Sequence, residues 1–384
     1  MFLTKEEEHI LDGELGIIKS KAMRILVSIG DVFDADRLIP IVSTQISGVS
    51  YKTIGNAGLE FLEDWSQEDV NVVVESWMNP AGMDLSQWKE MGISKEFAEK
   101  QLRIVKALTS MGIKQTCTCT PYLTGLIPKK GSHIAWSESS AVVFANSVLG
   151  AMTNREGGPS ALSAALIGKT PNFGFHKVEN RIAQVIFEVN FKTDPFSHTL
   201  IGYYVGKLSK NKVPMIKGIY KATWDELKLI GSGAAASGGV GMFMIPEITP
   251  ESEVIENPEI IEITKKDLDD VRNELSKGEK PDIIAFGCPH CSYKEILDIL
   301  NNIKTSVPVW IYTSKKIKDT VLKNLKVPEN VLILSDTCMV VSPIKELGVS
   351  CIATNSAKAA HYSQSLTKIN CILNSKEKLL NYGT

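Results

Sequence analysis

Histidine, cysteine and charge imbalance are all scarce in this chain of 384 residues. It has six histidines, seven cysteines and a formal net charge of −2. So small a charge gives no electrostatic reason to bind nucleic acid or an anionic membrane. Long hydrophobic runs are also missing: no stretch of about 18 uncharged apolar residues occurs, so no membrane span is expected. The opening segment MFLTKEEEHILDG carries Glu6, Glu7, Glu8 and Asp12 around no long apolar core, unlike a secretory or transit leader. An odd number of cysteines without such a leader argues against a disulfide framework and for the reducing cytoplasm. Hydrophobic content of 43% and charged content of 22% are ordinary for a soluble globular protein, and the length predicts two or three domains.

The last third is the most regular part. Apolar runs at 282–286, 307–312, 330–335, 349–354 and 369–373 have strand length and β-branched character. Helical patterns at 292–303, 315–325 and 356–366 separate them. This alternation predicts a doubly wound parallel sheet buried on both faces. A charged helix over 265–281 ends in a Gly/Pro break, so we divide the chain into an N-terminal α/β region (1–278), itself divisible in two, and a C-terminal α/β domain (279–384). Upstream, 22–33 reads as a strand or short buried segment. Residues 37–50 read as a strand entering a Gly/Ser turn, and 70–76 and 181–191 as strands. Residues 95–112 form an amphipathic helix with a glycine stop, and 136–150 a Ser-capped helix.

In open α/β sheets, ligands gather beyond the carboxyl ends of the strands. Cys288 follows the 282–286 run, Cys338 follows the 330–335 run, and Asn355-Ser356 follow the 349–354 run. Cys351 and Cys371 lie inside strands and read as core. Cys117 and Cys119, in TCTCTPY, would share a face if extended. The CPHC stretch at 288–291 admits four readings. It could be a redox pair, since Pro289-His290 resembles a redox active-site pair, although a thioredoxin-like CxxC should start a helix near the protein's first strand. A zinc site is the second, but the chain lacks a second CxxC or a spaced His pair. The third is two inert buried thiols. The fourth is a cluster held by dispersed thiolates, for which Cys119, Cys288 and Cys338 supply three soft ligands from three loops.

Several segments together resemble the aconitase X branch of the aconitase superfamily. They are SGVSYKTIG (47–55), WMNPAGMD (77–84), CTPYL (119–123), the 145–176 block containing NREGGPS and GKTPNFGFH, GCPH (287–290) and TNSAKAAHY (354–362). The resemblance implies an aconitase-like fold of several α/β domains without the swivelling domain, which would then sit on a separate small partner subunit. It implies a hydro-lyase carrying an iron–sulfur cluster, most simply [4Fe–4S], on Cys119, Cys288 and Cys338. Cys291 stays open as an alternative third ligand; Cys338 is preferred because it leaves a strand end, whereas Cys291 falls in the first turn of a helix. The implied substrate contacts are Gly48, Val49, Ser50, Asn79, Pro80 and Lys358, with Ser50 the candidate base unless the partner subunit supplies one. The archaeal members implied by this length dehydrate (R)-5-phosphomevalonate, a phosphorylated hydroxy acid; bacterial members act on cis-3-hydroxy-L-proline. On local grounds alone, SGVS is a turn, Asn79-Pro80 a turn starter and Lys358 a solvated lysine. NREGG reads either as a capped loop whose Arg155 and Glu156 pair with each other or as support for the pocket, and His176 and His290 are expected to be structural or to support the ligands and not to be ligands themselves.

Overall fold

The computed structural model describes residues 1–67 and 70–384. Among these, the C-terminal sheet orders its strands Val331–Leu334, Val309–Tyr312, Ile283–Phe286, Cys351–Thr354 and Asn370–Leu373, every pair parallel. The chain winds outward from Ile283–Phe286 through two strands. It then returns to build the other side from Cys351–Thr354. The winding therefore reverses between these two adjacent strands, and their carboxyl ends open a crevice. Helices Tyr293–Asn302, Lys315–Asn324 and Ala357–Tyr362 form the crossovers. Their sequence marks are present: Ser292, Ser314 and Ser356 each cap the following helix by accepting a backbone N–H.

A second parallel sheet, of strands Glu75–Met78, Ser43–Ile46 and Ala135–Trp136, lies in the first half of the chain. Its carboxyl ends deliver Asn79, Ser47 and Ser137. A third, Pro214–Lys217, Ala183–Val189 and Val254–Ile263, is also parallel. A short antiparallel pair joins Leu38–Pro40 to Lys169–Pro171. Helices Pro195–Ser209 and Trp224–Gly238 cross in close contact. A Cβ on Gly202 would stand 2.1 Å from the Ile230 carbonyl, so only glycine allows that approach. One apolar cluster holds Trp136, Phe187, Ile230, Tyr312 and Cys288 together, tying the three parallel sheets to a common core.

Four local expectations are corrected. Residues 22–33 are not a strand but most of helix Ile17–Val32, which buries Ile18, Ala22, Met23 and Leu26 at helical spacing. The predicted strand at 70–76 begins only at Glu75. The helix after Trp136 is capped by Glu138, whose carboxylate accepts from the Ala141 N–H at 2.7 Å, and not by serine. Cys291 precedes the Ser292 cap and so lies just outside its helix. No described helix is long and apolar enough to cross a membrane.

Candidate active site

Strand ends of the sheet built on Ser43–Ile46 and of the C-terminal sheet face one cavity of about 280 Å³. Asn79, Pro80, Cys119, Cys288, Cys338 and Lys358 all line it, beside Ser47, Glu138 and Arg155. A larger cleft of about 760 Å³ runs elsewhere, past Asp194, Arg272 and Lys376, and holds none of the thiols or substrate contacts expected from sequence. We follow the smaller cavity because the chemistry converges there.

Cys119, Cys288 and Cys338 are 5%, 5% and 8% exposed. Burial raises each thiol above its usual pKa, Cys288 to about 12, while the nearby Lys358 ammonium opposes that rise at all three. Donors already point at two of the sulfurs. The His290 backbone N–H lies 3.2 Å from Cys119 Sγ, and the Val340 and Val341 N–H groups approach Cys338. Such donors favour thiolate over thiol. Cys291 belongs elsewhere, in an apolar cluster with Phe286, Ile296 and Val321. Cys117 takes positive φ, which breaks the strand alternation, and packs with Ile104 and Met78. The two cysteines of TCTC therefore face different surroundings.

His290 braces the thiol loops. It is fully buried, and burial lowers its pKa to about 4, so the ring is neutral. A carbonyl can only accept, so Nε2, 2.8 Å from Thr337 O, carries the proton. Nδ1 then accepts from Thr118 Oγ1 at 3.1 Å. One ring thus links the residue before Cys119 and the residue before Cys338 to the segment that carries Cys288. The structural role expected for His290 fits this position. His176 likewise packs inside, its Nδ1 3.0 Å from that of His133.

Lys358 meets Glu138 in a short ion pair, and its Nζ also donates to Ser140 Oγ at 3.0 Å. Burial opposes charge on both partners. The Glu138 carboxylate nevertheless holds the Lys358 pKa above its ordinary value. The Lys358 ammonium, with Ser140 and the Ala141 N–H, brings Glu138 below the usual carboxylate range. Both stay ionised in the cavity wall, so Lys358 is not the solvated lysine its position suggests. Arg155 is exposed at the cavity and does not pair with Glu156, which is buried and takes hydrogen bonds from Ser160 and Thr170.

The 47–50 turn contributes differently along its length. Ser47 lines the cavity. Gly48, at positive φ, borders a separate apolar hollow with Ile54 and Phe61. Val49 is buried, and its carbonyl accepts from Gln101 Nε2 at 2.7 Å. Ser50, 1% exposed, donates to the Val341 carbonyl at 2.8 Å. Sequence reasoning missed Ser47 and Glu138, because a serine in a turn and an acid at a helix start carry no local mark of function.

The donor set matches what an iron–sulfur group needs. Three soft sulfurs from three loops, some already met by N–H donors, suit a cluster that binds through separate corners. No three described His, Cys, Asp or Glu side chains close around one point as a single metal ion needs. Among the described residues, Asn79 Oδ1 and Tyr122 Oη are buried without a hydrogen-bond partner. The residues fit the group.

Family models described as the aconitase X first, second and third domains match residues 1–179, 183–273 and 281–383. The chain belongs to the aconitase X family. It is similar to the phosphomevalonate dehydratase large subunit of Methanocaldococcus jannaschii, with 49% identity over 99% of each chain. The protein of that name from Methanosarcina mazei is 45% identical, over 100% of this chain and 97% of its own. Among solved structures, the holo-form of Thermococcus kodakaraensis aconitase X superposes over the whole of both chains, with a TM-score of 0.93 at 42% identity.

Proposed function

We propose that this chain is the large, catalytic subunit of a phosphomevalonate dehydratase. In this reading it is a hydro-lyase of the mevalonate route that removes water from (R)-5-phosphomevalonate to give trans-anhydromevalonate 5-phosphate. A separate small subunit carrying the swivelling domain completes it, and a [4Fe–4S] cluster sits on Cys119, Cys288 and Cys338. The observation that carries this reading is the meeting of those three sulfurs with Lys358 and Arg155 in one cavity. The near full-length likeness to chains named phosphomevalonate dehydratase large subunit supports the substrate. Seven free cysteines suit a cytoplasmic enzyme.

When bound, the cluster supplies a Lewis-acidic iron toward the departing hydroxyl. The chain's own residues do the rest. Lys358 and Arg155 place positive charge where a carboxylate and a phosphate must sit, and Arg155, exposed at the rim, suits the phosphate end. Asn79 offers a fixed plane of donor and acceptor whose Oδ1 is free for substrate. Pro80 shapes the wall beside it. Gly48 and Val49 hold the turn from which Ser47 reaches the cavity. Ser50 fastens that turn to Val341, so in the chain by itself its hydroxyl is engaged as a donor. We therefore assign proton abstraction to a group that the small subunit brings over the cavity, with Ser50 available only if docking releases it.

The test is an anaerobic assay of the reconstituted pair with (R)-5-phosphomevalonate and, separately, cis-3-hydroxy-L-proline. Turnover of the phosphorylated acid alone is the expected result. Turnover of the hydroxyproline alone overturns the substrate assignment.

A further inference from the structure

A glutamine stands where the helical pattern calls for an apolar side chain. Helix Lys95–Ser110 buries Ala98, Gln101, Ile104, Val105 and Leu108 on one face, the spacing of a core-facing stripe. Gln101 is 0% exposed, and glutamine is seldom buried so fully unless its amide is paired. The partners the structure gives it are all backbone groups. Oε1 accepts from the Tyr51 N–H at 3.0 Å and from the Gly82 N–H at 2.9 Å, while Nε2 donates to the Val49 carbonyl at 2.7 Å.

These three bonds join two segments that flank the cavity. Val49 and Tyr51 belong to the turn that brings Ser47 to it, and Gly82 closes the stretch that begins with Asn79 and Pro80. The two segments leave neighbouring strands, Ser43–Ile46 and Glu75–Met78, whose pairing ends at Ile46 and Met78. The Asn79 N–H still donates to the Ile46 carbonyl at 2.9 Å, and Gln101 links the two chains again further along. The approach is close. A Cβ on Gly82 would stand 2.7 Å from Ser50 Oγ and 2.9 Å from Gln101 Oε1, so only glycine fits between them. A carboxamide suits the place because one flat group accepts twice and also donates. Leucine there would leave three backbone groups without these bonds.

We infer that Gln101 is a positioning residue for substrate, setting the distance between the Ser47 and Asn79 walls of the cavity. Its own side chain does not line the cavity, so it acts only through the two backbones it joins. The inference rests on the proposed function and adds what keeps the substrate contacts in register. Binding groups displaced by a fraction of an ångström lose much of their effect. The turn also touches the Cys338 loop, through Ser50 and through Lys52 Nζ, 2.9 Å from the Ser342 carbonyl. Those bonds do not pass through Gln101, and Cys119, Cys288 and Cys338 stand on other segments. Loss of the amide should therefore weaken substrate binding and leave iron binding intact.

The experiment compares Gln101→Leu, Gln101→Asn, Gln101→Glu and the exposed control Lys106→Gln in the anaerobically reconstituted two-subunit enzyme. Iron content and urea resistance are measured first, then KM and kcat. We expect wild-type iron content in all four. KM for (R)-5-phosphomevalonate should rise about tenfold in Gln101→Leu and Gln101→Asn, with kcat within about threefold of wild type. Gln101→Glu should recover most of that loss, because a neutral carboxylic acid also accepts twice and donates once. Lys106→Gln should match the wild type. Should Gln101→Leu fail to fold, Gln101→Asn decides, since its shorter side chain leaves room for water. Lower urea resistance with a wild-type KM is what a merely structural amide gives, and it overturns the inference alone. Iron lost in step with the rise in KM overturns it too, because the amide then serves the thiol loops. If the wild type turns over only cis-3-hydroxy-L-proline, the substrate assignment falls and the same comparison of KM is made with that acid. A wild type inactive on both removes the proposed function and this inference with it.

Discussion

The imidazole of His290 donates through Nε2 to the Thr337 carbonyl at 2.8 Å, joining the loop of Cys288 to the loop of Cys338. The same ring accepts from Thr118, beside Cys119. Replacing His290 with Ala leaves the Thr337 carbonyl buried without its partner, while the Thr118 hydroxyl keeps Thr120 as a neighbour. The metal-free protein should lose about 2–4 kcal/mol of unfolding free energy. His290→Asn, which retains an amide donor, should restore part of it. Urea unfolding with parallel iron uptake checks both, and full uptake by His290→Ala would show that the brace is dispensable.

The ion pair of Lys358 with Glu138 separates a structural role from a functional one. Lys358→Met strands a buried carboxylate and should cost about 3–5 kcal/mol of stability. Lys358→Met combined with Glu138→Gln removes both charges and should recover most of that stability. Activity should stay absent in both, because the anion-binding charge is gone. A stable double variant with wild-type turnover excludes Lys358 from substrate binding.

Arg155 is exposed and, among the described residues, makes no salt bridge, so Arg155→Ala should change stability by less than about 0.5 kcal/mol. Losing a charge-assisted contact to phosphate should raise KM about tenfold or more. Steady-state kinetics of the two-subunit enzyme measures it.

His176 gives the folded protein a pH dependence. Burial, with help from His133 and Arg181, lowers its pKa to about 3, whereas the unfolded residue titrates near its ordinary value of 6.5. The unfolded state therefore binds the extra proton as pH falls below 6.5, and stability drops with it. By pH 5 this single group removes about 2 kcal/mol. His176→Gln should shrink the loss between pH 7 and pH 5 by about that amount, as measured by urea unfolding of the metal-free protein at both values.

Much of the C-terminal sheet was legible because parallel strands buried on both faces leave unbroken apolar runs. That is how Cys288 and Cys338 could be placed at strand ends. The helix over Ile17–Val32 was misread because Ile25, Leu26, Val27 and Ile29 crowd together, and the period that buries Ala22 and Leu26 is hidden within that density. Helices Pro195–Ser209 and Trp224–Gly238 lack a polar face over most of their length, so no amphipathic stripe marks them. In the site, cysteine chemistry was visible and Glu138 was not. Its significance comes from Lys358, 220 residues away, and no local pattern encodes that meeting. Cys117 was grouped with Cys119 on the assumption of extended backbone, which its φ of 42° breaks.

The most direct measurement is anaerobic quantitation of iron and sulfide on the wild-type chain and its cysteine variants. We predict about four of each per wild-type chain. Cys119→Ser, Cys288→Ser and Cys338→Ser should each lose the group, while Cys117→Ser and Cys291→Ser retain it. An iron-free wild type, or retention by Cys338→Ser with loss in Cys291→Ser, contradicts the account.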